Sequence, residues 1–314
     1  MTNSIGSRIP SKLGEIFVTG SGTFVDDMAF PGMLHARFVR CPHPHAKIVS
    51  IDTSHALSIP GVELVWTWKD LSPYLSSNHF GHDILDEEPL AIDRARYVGD
   101  EVAIVLAHDA HTALEASEAV NITYDILPAV TSVEDALSST SPLLHPRLDE
   151  DPSSSVKGNL LHSFSIKTGD VPAALKSPHV SVSGSFKTNR TSPSALEPHG
   201  VIASYTPGRE LAIHSPNQKP HSMVTNLETI FGFEPGFITW NVPDIGGSFG
   251  TKAELLSHEI CAAALTLSTR KPVKIILDRL EELQTGRGRP EEHFNACLTA
   301  DKNGNFISLT VDMI

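Results

Sequence analysis

The residues best suited to chemistry sit together in one short loop, Asp244-Ile-Gly-Gly-Ser-Phe-Gly-Thr-Lys252. Gly246, Gly247 and Gly250 let the backbone approach a ligand closely and take positive φ where a turn needs it. The loop lies between a predicted strand over 237–242 and a predicted Ala-rich helix over 253–267. A helix N-terminus leaves backbone N–H groups unpaired and carries partial positive charge, so this placement suits an anion. A phosphate, a pyrophosphate or a metal oxo group would fit, and so would a tight turn with no ligand at all. Two familiar phosphate loops are excluded. Gly250-Thr251-Lys252 has the wrong order for a Walker A loop, and G-x-G-x-x-G does not occur here.

The other candidates for chemistry are sixteen histidines. His43-Pro-His45 and His79/His82 are the closest pairs, and neither has the third ligand that a metal site needs. They read as solvated or packed side chains.

Several elements must position the loop. Residues 219–231 are predicted helical, with Met223, Leu227, Ile230 and Phe231 on one face and Gly232 as the stop. Residues 273–277 follow the loop's helix as a strand, entered through Pro272. Earlier in the chain, residues 33–39 and 46–51 read as short strands around the loop Cys41-Pro-His-Pro-His45. Residues 61–66 alternate as a further strand, and 102–106 form a continuous apolar run. Asp109 can cap a helix to about residue 120, and 121–126 returns as a strand. Residues 294–299 and 306–313 look like a hairpin around Asp301-Lys-Asn-Gly-Asn305. The Ser- and Pro-rich stretch 138–157 reads as a linker. It divides the chain into a first domain over 1–137 and a second over 158–314.

Composition narrows the function classes. The formal net charge of -13 and pI near 5.6 disfavour nucleic acid and anionic membrane surfaces. Cys41, Cys261 and Cys297 are scattered and odd in number, against a disulfide framework or a thiolate metal site. The opening residues carry no secretory signal, and no apolar run is long enough to span a bilayer. A cytoplasmic setting is the expectation.

The loop and its strand, from Val242 to Lys252, resemble the Gly-Gly-Gly-Phe-Gly-x-Lys loop of the molybdenum hydroxylases. These are the large subunits of xanthine dehydrogenases, aldehyde oxidases and carbon monoxide dehydrogenases. Lys271-Pro-Val-Lys-Ile-Ile-Leu-Asp-Arg279 with Glu281 is similar to the family's R-P-V-K-x-x-x-D-R-x-E. His214-Ser-Pro-Asn-Gln-Lys-Pro-His221 resembles its S-x-Q-x-P-H, and Leu196-Glu-Pro-His199 its M-E-P-x turn. Gly20-Ser-Gly-Thr-Phe-Val-Asp-Asp27, the stretch from Pro31 to Lys47, and Arg96-Tyr-Val-Gly-Asp-Glu-Val102 resemble the family's opening segments, closest to the carbon monoxide dehydrogenase-like branch.

The resemblance implies an α+β chain: an N-terminal α/β hammerhead-like domain, then the start of a mixed α/β molybdopterin-binding domain. It implies a molybdenum–molybdopterin cofactor, with the cytosine dinucleotide among its forms. Gln218 takes the position that donates a hydrogen bond to the molybdenum oxo or hydroxo ligands. Phe249 approaches the metal through its backbone and shapes the substrate pocket with its ring; Gly247, Ser248 and Gly250 complete the cradle. Ser248 departs from the family's glycine and would crowd the cofactor if its backbone needed positive φ. Ala253 stands where xanthine-type enzymes place a substrate-contacting Glu, with Glu254 a fraction of a helical turn away. Glu197 and His199 read as the family's structural turn rather than an acid/base pair. His35, His43 and His45 match family positions with no metal role.

The family's catalytic base, a Glu near the C-terminus of chains more than twice this length, has no counterpart here; Glu281 is not it. No catalytic residue and no direct metal ligand is therefore assigned. The apolar alternation Ile307, Leu309, Val311, Met313 runs to the last residues, an edge that expects a continuation. The expectation is a partial cofactor-binding subunit, inactive alone. Its partners would be a polypeptide supplying the rest of the large subunit, subunits carrying FAD and a 2Fe-2S centre, and a small-molecule substrate. A non-catalytic assembly module and a truncated product are the alternatives.

Overall fold

Strand β5 (Glu101–Ala107) is buried at all seven positions, which requires cover on both faces of its sheet. Its alternating side chains supply two cores. Ile104 and Leu106 face one core, and Ala103 and Val105 face the other. A computed structural model describes residues 5–314 apart from Asp83 and Ser177.

β5 lies between β1 (Leu34–Arg40) and β3 (Val62–Thr67), antiparallel to both. On its far side β1 pairs in parallel with β11 (Val273–Ile276), in the register Leu34↔Val273. Three more strands complete a seven-stranded sheet beyond β11: β8 (Gly200–Thr206), β9 (Glu210–His214) and β10 (Ile238–Asn241). One sheet therefore joins strands from both sides of the stretch 138–157. That stretch is itself packed, with a short helix over Pro146–Glu150 and with Leu148 and Val156 buried. Arg96 binds the Leu144 carbonyl from the side of the first domain (2.9 Å).

Four helices longer than five residues are found among the described residues. Helix α1 (Ala110–Glu118) is capped by Asp109, which accepts from the Thr112 amide, and covers β1, β3 and β5. Helix α2 (Pro220–Phe231) buries Met223, Leu227, Ile230 and Phe231 and ends at Gly232 in the left-handed region (φ 70°). Each of those side chains contributes roughly 1.5–3 kcal/mol by leaving water. Helix α3 (Ser257–Thr269) is buried from Ser257 to Thr266 and packs on β8 and β11. Helix α4 (Arg279–Thr285) follows β11 directly.

Two smaller sheets complete the mixed α+β architecture that the sequence implies. β2 (Ala46–Asp52) pairs with β4 (Arg94–Ala95) and β6 (Asn121–Ile126). β1 and β2 thus flank the loop at Cys41 but belong to different sheets. β12 (Glu292–Ala300) and β13 (Phe306–Met313) form the expected hairpin, and β7 (Val180–Thr188) adds to its other edge. Among the described residues no helix is long and apolar enough to cross a membrane.

The glycine loop differs from expectation at its far end. It does not run straight into a helix: α3 begins at Ser257, so Ala253 and Glu254 lie in loop. Glu259 fixes that start by accepting the Leu256 amide (2.9 Å). A protein carboxylate thereby fills the helix N-terminus, seven residues past Gly250, and the helix dipole is not what the loop offers a ligand.

Candidate functional site

The loop is built by reciprocal contact with the turn 195–199. Gly246 donates to Glu197 Oε2 (2.8 Å), and its carbonyl accepts from the Glu197 amide (3.1 Å). A Cβ on Gly246 would stand 2.5 Å from Glu197 Cβ, so only glycine permits this approach. Glu197 Oε2 also receives Lys252 Nζ (2.7 Å), whose side chain is wholly buried. At the loop's start Asp244 is tied to Thr23 in both directions, amide to carbonyl and amide to carboxylate.

Between these anchors the backbone turns through Gly247 (φ 103°), Phe249 (φ 53°) and Gly250 (φ 98°). Ser248 is not among the positive-φ residues. The crowding expected of its Cβ does not arise, because the left-handed position falls on Phe249. That side chain is 72% exposed, so no packing compensates its strained backbone. Nothing lies within 4 Å of the place a Gly250 Cβ would take. The amides of Gly247, Phe249 and Gly250 find no acceptor among the described residues.

Gln218 lies alongside. Its amide donates to the Lys252 carbonyl (2.8 Å), and its Oε1 accepts from Ser248 Oγ (2.5 Å). Ser248 Oγ in turn accepts the Lys252 amide (3.2 Å). The structure therefore brings Gln218, Gly247, Ser248, Phe249 and Gly250 onto one loop surface. Glu254 points elsewhere, pairing with Arg287 (3.3 Å). It lines a separate cavity of about 120 Å³ with Phe80, Met223 and Ile230, which none of those five residues touches.

Behind the loop stands α4. Arg279 donates to the carbonyls of Ala195 and Leu196 (both 2.8 Å). Glu282 Oε2 accepts from the His199 amide (3.0 Å) and meets its Nδ1 (2.8 Å), while Nε2 faces the Thr251 carbonyl (3.2 Å). Burial raises the Glu282 carboxyl, but the hydrogen bonds and charge of His199 outweigh it and hold the group down to about 2. Glu281 reaches the opposite way, to Arg40 (2.9 Å) and Arg37 (3.2 Å) on β1. One short helix thus braces both the loop and the first domain. Sequence reading noticed Glu197 and His199 as a turn but missed the groups that hold that turn: Lys252 on Glu197, Glu282 on His199, and Arg279 on the carbonyls of Ala195 and Leu196. The signal was there in the charges: a lysine among small residues at the foot of a glycine loop requires a carboxylate if it is buried.

Within the first domain, burial and the charge of Glu101 push the Asp100 carboxyl up to about 7. Among the described residues no three His, Cys, Asp or Glu side chains converge to hold a metal ion. What the loop surface offers is hydrogen-bond donors, suited to an anionic group that brings its own ligands.

A backbone cradle on a mixed sheet, with amides that no described residue accepts, has the features of a cofactor-binding module. Known proteins agree. The family model of the molybdopterin cofactor-binding domain matches residues 153–314, and that of the aldehyde oxidase and xanthine dehydrogenase a/b hammerhead domain matches 19–128. The carbon monoxide dehydrogenase large chain of Hydrogenophaga pseudoflava is 32% identical over 98% of this chain. Among solved structures, reconstituted CO dehydrogenase from Oligotropha carboxidovorans superimposes with a TM-score of 0.91 at 30% identity, over 98% of this chain. Quinoline 2-oxidoreductase from Pseudomonas putida 86 gives 0.90 at 28%, over 100%. This chain belongs to the molybdenum hydroxylase large subunits, the xanthine dehydrogenase family, and carries their molybdopterin-binding domain. It spans 39% of the length of each of these three relatives.

Proposed function

We propose that this chain holds one side of a molybdenum–molybdopterin cofactor within a cytoplasmic oxidoreductase. The reaction is hydroxylation of an aldehyde or N-heterocycle, or oxidation of carbon monoxide, with water as the oxygen source. The observation that carries this reading is the loop surface itself. Three amides without acceptors among the described residues, at Gly247, Phe249 and Gly250, lie on the loop beside Gln218. Backbone donors that no protein group satisfies are open to a ligand, and an oxo-bearing cofactor supplies acceptors of the right kind.

In this reading the Gln218 carboxamide donates to the cofactor's oxygen ligands, and Gly247, Ser248 and Gly250 give it room. Phe249 directs its backbone to the cofactor and its ring to the substrate. When bound, the cofactor supplies two-electron oxidation, and the electrons leave to iron–sulfur and flavin centres on partner subunits. The resemblance of the opening segments to the carbon monoxide dehydrogenase-like branch supports the cytosine dinucleotide form of the pterin as part of this reading.

The acids nearest the loop are committed elsewhere. Glu197 holds Lys252, Glu282 holds His199, and Glu281 holds Arg37 and Arg40. None is free to act as a general base. The base, and with it activity, comes from a further length of polypeptide equivalent to the rest of the relatives' large subunits.

The test is molybdenum per chain, measured by mass spectrometry on protein purified gently from its own cells. Near-stoichiometric metal is expected. Absence of metal refutes the proposal and leaves a non-catalytic assembly module.

A further inference from the structure

We infer that Ser248 is a positioning residue that orients the carboxamide of Gln218 toward the cofactor, an assignment that rests on the cofactor-binding reading above. A glutamine carboxamide can face either way, and the two ends have opposite chemistry: Oε1 accepts, Nε2 donates. Which end faces outward is decided by a neighbour. Ser248 Oγ is buried and accepts the Lys252 amide, so its single proton needs an acceptor. Gln218 Oε1 is the acceptor it reaches among the described residues. The hydroxyl therefore takes the oxygen end, and the two Nε2 protons turn away from it, toward the open side of the loop. The Gln218 amide separately donates a hydrogen bond to the Lys252 carbonyl. The hydroxyl thus has two contacts: it orients the carboxamide, and it accepts the Lys252 amide within the loop.

Such an arrangement gives the chain something that glycine at 248 cannot. With no hydroxyl at 248, Oε1 would lose its donor, and the carboxamide of Gln218 would rotate freely between donating and accepting at the cofactor. A neutral hydrogen bond of ordinary strength biases that choice roughly five-fold.

The experiment uses the complete enzyme from its own cells and follows molybdenum content over time after gel filtration. Ser248→Ala and Ser248→Gly are expected to lose molybdenum about 1.7-fold faster than the parent, as the donating fraction falls from about five-sixths to one-half. Ser248→Thr, which keeps the hydroxyl, stays close to the parent. The deciding comparison is the double variant Ser248→Ala/Gln218→Leu. If Ser248 acts through Gln218, the double loses metal more slowly than the two single effects combined would require. A hydroxyl that merely supported the loop would add its effect in either background, and additivity overturns the inference. So does unchanged retention in both Ser248→Ala and Ser248→Gly. A parent enzyme without molybdenum overturns the cofactor reading itself, so the two failures are told apart.

Discussion

Removing one charge of the Glu197–Lys252 pair tests whether the glycine loop is held from behind. Lys252 is wholly buried, and Glu197 Oε2 is its hydrogen-bond acceptor. In Glu197→Gln the shape and the Gly246 contact survive, but an ammonium is left buried with no counter-charge. Breaking a buried pair this way costs about 3–5 kcal/mol. For 314 residues the unfolding entropy is about 0.66 kcal/mol/K, so the melting temperature should fall by roughly 5–8 °C. Lys252→Met exposes the complementary problem: Glu197 Oε1 already lacks a partner, and the carboxylate would keep only backbone amide support. It should lose a similar amount. The double variant Glu197→Gln/Lys252→Met removes both charges and keeps an oxygen for the Gly246 amide. It should recover to within about 1 kcal/mol of the parent. Thermal melts followed by circular dichroism measure all four proteins. A double variant whose loss equals the sum of the singles would show that the pair is not a unit, and the reasoning would be wrong.

Two further outcomes follow, one from the first domain and one from the loop. Asp100 has its carboxyl raised by burial, then by the charge of Glu101, to about 7 against an ordinary value near 3.9. Between those pH values the folded chain keeps a proton that the unfolded chain releases, so this group lowers stability as pH rises from about 4 to 7. Asp100→Asn keeps an oxygen for the Arg96 amide and should melt with the parent near pH 4 but above it at pH 8; a difference independent of pH would refute this. Phe249→Gly relieves a left-handed residue at a side chain that is 72% exposed. It should match or exceed the parent in the unfolding free energy from denaturant titration, by up to about 1–2 kcal/mol, while Phe249→Ala shows no such gain. Greater destabilisation by Phe249→Gly than by Phe249→Ala would contradict the strain argument.

Legibility in the sequence tracks the range of the interaction. Helix α2 was readable because Met223, Leu227, Ile230 and Phe231 repeat at helical spacing and Gly232 ends them, all local signals. The hairpin of β12 and β13 was readable because Asp301 organises its own turn, accepting from the Asn303 and Asn305 amides. The start of α3 was misplaced since Ala253 favours helix, whereas the deciding contact is Glu259 reaching back to Leu256. β7 was not assigned from the sequence: its side chains are mostly exposed, so its sequence records little burial. For the site, glycine spacing and resemblance pointed to Gln218 and Phe249. Lys252 and Glu197 stand 55 residues apart, and no local pattern joins them.

The parallel pairing of β1 with β11 has a consequence for how the chain is made. Leu34 and Val273 are partners in register, yet roughly 240 residues separate them on the ribosome. At about 5–20 residues per second, β1 waits on the order of 12–48 s for its neighbour. Throughout that interval the edge it will offer to β11 stays unpaired, although β5 can already cover the other side. The hammerhead half therefore emerges as a nascent chain with an unsatisfied sheet edge, a natural client for a chaperone. Severing the chain within 138–157 would make that interval permanent for each piece until the two meet again.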